Sequence, residues 1–161
     1  MKFFLPAFTM LVFLSSCDTK PKETISVSEE TSVVYDSLLA QSLGADQYGM
    51  KKYVMAFLKS GPNRSQSEEE ANRLQKAHLD NITRLANEGN LVLAGPFMQE
   101  GGDLRGIYIF NTDSLEVAKE WTNSDPAILE VRLIMELHPW YGSAALMKVN
   151  ELHGQIAKIN I

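Results

Sequence analysis

The chain has 161 residues, with 20 Asp and Glu against 15 Lys and Arg, a formal net charge of -5 and a hydrophobic content of 45%. That length provides for one folded domain. The mildly acidic balance, with no basic stripe interleaved by aromatics, argues against nucleic acid as a partner, and a single cysteine excludes an internal disulfide framework.

Met1-Lys2 opens the chain with a charge, and Phe3 to Leu14 follows almost without polar atoms before Ser15-Ser16-Cys17. This is the layout of a secretion signal. A membrane-crossing helix needs about 20 apolar residues, more than this run supplies, so residues 1–16 are expected to be cleaved. Leu14-Ser15-Ser16-Cys17 resembles the bacterial lipobox, in which a cysteine is diacylated and becomes the first residue of the mature chain. The lone cysteine falls at the end of the apolar run, where a lipidation site has to be; the competing reading, an ordinary buried thiol, leaves that placement unexplained. Acyl chains on Cys17 would hold the protein to the membrane, since each buried methylene contributes about 0.8 kcal/mol. The expected location is the exported side of the cell envelope. Cleavage removes Lys2 and moves the net charge from -5 to -6.

Residues 17–32, rich in Ser, Thr, Lys and Glu, read as a flexible tether that lacks the apolar surface to offset ordering. Residues 33–50 form a helical extension with a stripe through Val34, Leu38, Leu39 and Leu43, stopped by Gly44. The main domain is expected over 51–141. Lys52 to Leu58 is a buried strand ended by Gly61-Pro62-Asn63. A long helix follows, with capping-box patterns at Ser65 and Ser67, three glutamates suited to its positive end, and Gly89 as its stop. Leu91 to Ala94 and Ile107 to Asn111 form a hairpin around Gly101-Gly102. A second capping-box pattern, Asp113 to Glu116, opens a shorter helix with Leu115, Ala118 and Trp121 on one face, ended by Asn123 to Pro126. Val131 to Leu137 is the last strand, running out at His138-Pro139-Trp140. Residues 142–161 form a weakly amphipathic C-terminal extension that caps an edge or pairs with another chain.

The order β-α-β-β-α-β predicts an α+β, ferredoxin-like sandwich, with two helices over one face of a four-stranded antiparallel sheet. The second face needs a cover, because the central strands are apolar on both sides. Packing of two sheets about a two-fold axis makes the chain a homodimer. The alternative is cover by the N-terminal helix and the tail of the same chain.

His78 is the side chain that stands out. It lies four residues after Leu74 and four before Ile82, within the inward stripe of Ala71, Leu74, Ile82, Leu85 and Ala86. A buried imidazole without a hydrogen bond costs a few kcal/mol, so it needs a partner or a cleft. A satisfied core histidine is the bland explanation, and a functional one the sharper. Asp80 faces elsewhere on the helix, and Glu68 to Glu70 are occupied near its start. Asp125, before Pro126 at the end of the second helix, is the candidate partner: a carboxylate on one ring nitrogen fixes the tautomer and raises the basicity of the other. Its competing reading is a helix-ending turn residue. His138 and Trp140 are candidates for the lining of the same cleft mouth, or are plain surface; His153 carries no signal. No metal-binding spacing or phosphate loop is present, so neither metal nor cofactor is expected.

Several landmarks in order carry a family resemblance: Tyr53 to Leu58, His78 on the following helix, Glu88 to Pro96, Gly106 to Phe110, Leu115 to Ala118, Asp125-Pro126-Ala127 and His138-Pro139-Trp140. Over 51–141 the chain resembles the YCII (YciI-like) family. The resemblance implies a dimeric α+β barrel with a histidine-aspartate active-site pair, matched here by His78 and Asp125. It also implies chemistry of the kind attributed to the family, elimination from a chlorinated hydroxyquinol. The chain departs from the family pattern at Ala127 to Glu130, which lacks the usual aromatic and glycine, and in its leader and terminal extensions. Two functions are therefore expected in competition: an envelope-anchored lyase or isomerase moving a proton on a small organic substrate, and a non-catalytic module binding a small ligand or a protein at the membrane surface.

Overall fold

Strands and helices alternate where the hydrophobic period switches between two and about 3.6, and capping side chains mark the switches. In a computed structural model, which describes residues 34–98 and 101–159, the compact unit begins at Tyr35. The expected signal, Cys17 and the expected tether lie outside the described residues. Helix α1 (Ser37–Leu43) leads into β1 (Met50–Ser60), α2 (Glu68–Asn87), β2 (Leu91–Pro96), β3 (Leu104–Phe110), α3 (Leu115–Thr122), α4 (Pro126–Leu129) and β4 (Leu133–Ser143); a 3-10 turn (Ala144–Lys148) and α5 (Val149–Ile156) complete the unit. The sheet order is β2-β3-β1-β4, and every neighbouring pair is antiparallel. This is the ferredoxin-like arrangement.

Local chemistry accounts for the helix limits. Ser67 caps α2 by accepting the Glu70 N–H, while the Glu70 carboxylate turns to Arg73, so only half of the capping box forms. Gly89, at φ 75°, ends the helix in a Schellman turn, with Gly89 N–H donating to Ala86 O and Asn90 N–H to Leu85 O. The cap of α3 is Ser114, one residue beyond the expected Asp113.

Three expectations are corrected. The last strand starts at Leu133 rather than Val131, because Val131 occupies the left-handed position (φ 52°) of the turn that ends α4. The strand then continues through His138-Pro139-Trp140 to Ser143; proline is tolerated because β4 is an edge. Helix α4 was not foreseen. Finally, the stripe of α1 is not a buried one: Leu38 is 76% and Leu39 45% exposed.

The helix-side core joins Val54, Ala56, Leu85, Leu91, Tyr108, Phe110 and Ala118. Each large apolar side chain buried there contributes about 1.5–3 kcal/mol. On the other face, Leu146 and Met147 of the C-terminal extension pack against Tyr53, Val92 and Ile109. Cover from within the same chain is thus partly realised, while Phe57 is only half-buried and Ile134 and His138 are exposed on that face.

Candidate functional site

Helix α2 buries Leu74, His78, Asn81 and Leu85, a single stripe facing the sheet. His78 is 5% exposed and sits over β3. The α3–α4 junction brings Asp125 beneath it, and Asp125 is fully buried. Its two oxygens are both committed. One accepts the Ala127 N–H at 2.9 Å, capping α4, and the other lies 2.5 Å from His78 Nδ1. Pro126 at the first helical position fixes the backbone that aims the cap. Asp125 is therefore a turn residue and the histidine's partner at once.

Because a carboxylate only accepts, Nδ1 carries the proton and donates it to Asp125. In the neutral ring Nε2 is then the acceptor, and the Tyr108 hydroxyl, 3.3 Å away, is placed to donate to it. Tyr108 was missed in the sequence, where an aromatic on alternating strand β3 reads as core. Its phenol is pushed well above the usual range, first by burial and then by the negative charge of Asp125. It is held protonated as a donor.

His78 and Tyr108 open onto a cavity of about 470 Å³ between α2 and the sheet. Leu58, Ile82, Ala94, Pro96, Phe97 and Leu133 make its wall mostly apolar, and Gln75, Thr83 and Arg105 supply polar groups. Asp125 lies behind the imidazole, outside the lining. A hydrogen bond of 3.3 Å thus joins two of the polar groups that line the cavity.

His138 and Trp140 do not share this cavity. Register pairs Met55 with His138 and Tyr53 with Trp140, on the face opposite α2. There His138 packs edge-on against Phe57, its Nε2 lying 2.8 Å from Glu136, and Trp140 packs on Tyr53. Lys59 and His138 together hold the Glu136 carboxyl below the usual carboxylate range. A wider depression of about 610 Å³ near Lys51, Lys52 and Asp113 is separate and contains none of His78, Tyr108 and Asp125.

A family model for the YCII-related domain matches residues 54–138, more than half of the chain and inclusive of His78, Tyr108 and Asp125. The chain belongs to the YCII-related domain family. The YCII-related segment thus runs from within β1 to within β4, with α1 and the C-terminal 3-10 turn and α5 outside it. A sequence comparison with curated proteins finds no match. Among solved structures, the chain is similar to 5-chloro-2-hydroxyhydroquinone dehydrochlorinase from Burkholderia phenoliruptrix AC1100, solved in complex with 2,5-dihydroxybenzoquinone. The two are 17% identical, with a TM-score of 0.39 over 53% of this chain and 92% of that one.

Proposed function

We propose that this YCII-related protein is a cofactor-independent enzyme of the lyase or isomerase type, moving a proton on a small organic molecule bound in the cavity against α2. His78 Nε2 is the base, Asp125 the group that orients and polarises the ring, and Tyr108 the donor to oxygen on the substrate. The observation that carries this reading is the chain of contacts from Ala127 N–H through Asp125 and His78 to Tyr108. It leaves Nε2, whose contact is the Tyr108 hydroxyl, on a ring that lines the cavity.

In the reaction so drawn, an acidic C–H or O–H within about 3 Å of Nε2 gives its proton to the imidazole, and the Asp125 carboxylate stabilises the cation that forms. The Tyr108 hydroxyl turns from Nε2 to the substrate oxygen on which negative charge grows, as preorganised donors do in acyl and enolate chemistry. Sharing the proton back at another atom completes an isomerisation; loss of a neighbouring leaving group completes an elimination.

The test is deuterium wash-in. The full chain is incubated in D₂O with hydroxylated ring and carbonyl compounds, and exchange at carbon is followed by NMR. Exchange that disappears in His78→Gln is the expected result. A compound that binds in the cavity and carries an acidic C–H, yet exchanges no faster than in buffer, contradicts the catalytic reading and leaves a small-ligand binding module.

Two further parts of the reading rest on other observations. The motif ending at Cys17 supports an exported, lipid-anchored protein, which incorporation of labelled palmitate at Cys17 would show. The exposed remainder of the sheet face, around Phe57, Ile134 and His138, supports a homodimer, which sedimentation of the wild type against Phe57→Asp would show.

A further inference from the structure

The segments bearing Arg64, Arg105 and Arg132 meet at the end of β1, and Arg105 lines the cavity. Gly61 N–H donates to Arg132 O at 2.8 Å and Asn63 N–H to Val131 O at 3.2 Å, which ties the loop bearing Arg64 to the start of β4. Ser60 N–H donates to Asp103 O at 2.7 Å, which brings in the start of β3. Between Leu58 and Lys59 the pairing with β3 jumps from Gly106 to Leu104, so Arg105 is the extra residue of a bulge. Bulges re-aim side chains, and Arg105 lines the cavity together with His78 and Tyr108.

Among the described residues, no carboxylate lies within ion-pair distance of any of the three guanidinium groups. The side-chain bonds made by Arg105 and Arg132 go to the Leu104 carbonyl and to Gln66 Oε1. Arg64, an exposed residue, is lowered from its ordinary value by partial desolvation and then by the positive charges of Arg132 and Arg105. Gathering like charges is unfavourable by itself, and it stands out in a chain of net charge -5. An anion between them reverses the sign of the interaction, and the planar fork of arginine matches the oxygens of carboxylate and phosphate.

We propose that Arg105, supported by Arg64 and Arg132, is an oxyanion subsite at the cavity mouth, so that the substrate is a small apolar molecule carrying a carboxylate or phosphate group. The inference rests on the assignment of the cavity as the substrate site. Anchoring the anion at the mouth leaves the apolar body against Ile82, Ala94 and Leu133, within the same cavity as Nε2.

Binding, rather than turnover, tests it. The full chain is titrated with benzoate, with phenyl phosphate and with benzamide, the neutral counterpart of benzoate, and shifts of amide resonances around the cavity are followed. Benzoate is expected to bind about tenfold or more tighter than benzamide, the worth of one hydrogen bond between charged groups. Arg105→Gln should abolish that preference while leaving benzamide binding in place, and the Arg64→Gln, Arg132→Gln double variant should reduce it. The order of benzoate and phenyl phosphate identifies the preferred oxyanion. Equal binding of benzoate and benzamide, no binding of any probe, or a preference that survives both sets of substitutions overturns the proposal. His78→Gln should keep the ratio while losing deuterium exchange, so failure of the subsite and failure of the base are read separately.

Discussion

Replacing Asp125 separates its two roles. Asp125→Ala removes the cap on α4, worth about 1 kcal/mol, and leaves the His78 Nδ1–H buried without an acceptor, at about 1–3 kcal/mol. Both bonds lie in a fully buried setting, so the expected loss is about 2–4 kcal/mol. Asp125→Asn has the same shape but a single carbonyl oxygen. Ala127 N–H can only donate, so that oxygen stays on the cap and the amide NH₂ confronts Nδ1. His78 then takes the opposite tautomer, with its proton on Nε2, and Tyr108 rotates its hydroxyl to accept. This variant should lose only about 1 kcal/mol, one exchanged hydrogen bond, yet be inactive; the same change in a serine protease triad lowers turnover by about 10⁴-fold through the wrong tautomer. Urea unfolding of both Asp125 variants, of His78→Ala and of the Asp125→Ala, His78→Ala pair supplies the energies. Additivity of the Ala changes within about 0.5 kcal/mol, or an Asp125→Asn loss equal to that of Asp125→Ala, would refute the reasoning.

Tyr108 is neutral in the fold at a pH where an ordinary tyrosine ionises, because burial and Asp125 raise its value. Its contribution is complete below about pH 10 and declines above it, as the unfolded chain releases a proton that the folded chain keeps. Tyr108→Phe should therefore lessen the alkaline fall in unfolding free energy by about 1.4 kcal/mol per pH unit above pH 10, measured by urea unfolding between pH 9 and 11; parallel curves would contradict this. Val131 sits where Gly89 sits in the matching turn of α2. A left-handed L-residue costs about 1–2 kcal/mol and glycine returns about 0.5–1 kcal/mol of that as chain entropy. Val131→Gly should thus raise the melting temperature by a few degrees, and a lower one would show that the valine side chain matters more. Gly61→Ala should lose about 1–3 kcal/mol from overpacking, since its Cβ would fall 2.1 Å from Val131 O; unchanged urea unfolding would show that the two segments can separate freely.

The succession of elements was legible because periods and caps agree: the stripe through Leu74, His78 and Leu85 and the stop at Gly89 point to one helix in one orientation. His78 was visible for the same reason, as a polar group where the pattern demands an apolar one. Asp125 was less so. Its reach to His78 depends on α4, and four residues are too short to display a helical period. Val131 looked like strand because β-branching favours strands, although the turn's hydrogen bonds prevail over that preference. Tyr108 is indistinguishable by type from its core neighbour Phe110, and only the meeting of β3 with α2 sets it apart. For His138 a signal did exist. Glu136 shares its strand parity, whereas Leu133, Met135 and Leu137 have the other, and charged parity marks the face away from the helices.

The position of a single proton carries the account. Nitrogen-15 NMR of the full chain labelled at histidine, recorded at alkaline pH where free imidazole is neutral, distinguishes Nδ1–H from Nε2–H at His78. The account predicts Nδ1–H in the wild type and Nε2–H in Asp125→Asn. A proton on Nε2 in the wild type would leave no base facing the cavity and would contradict the proposed chemistry.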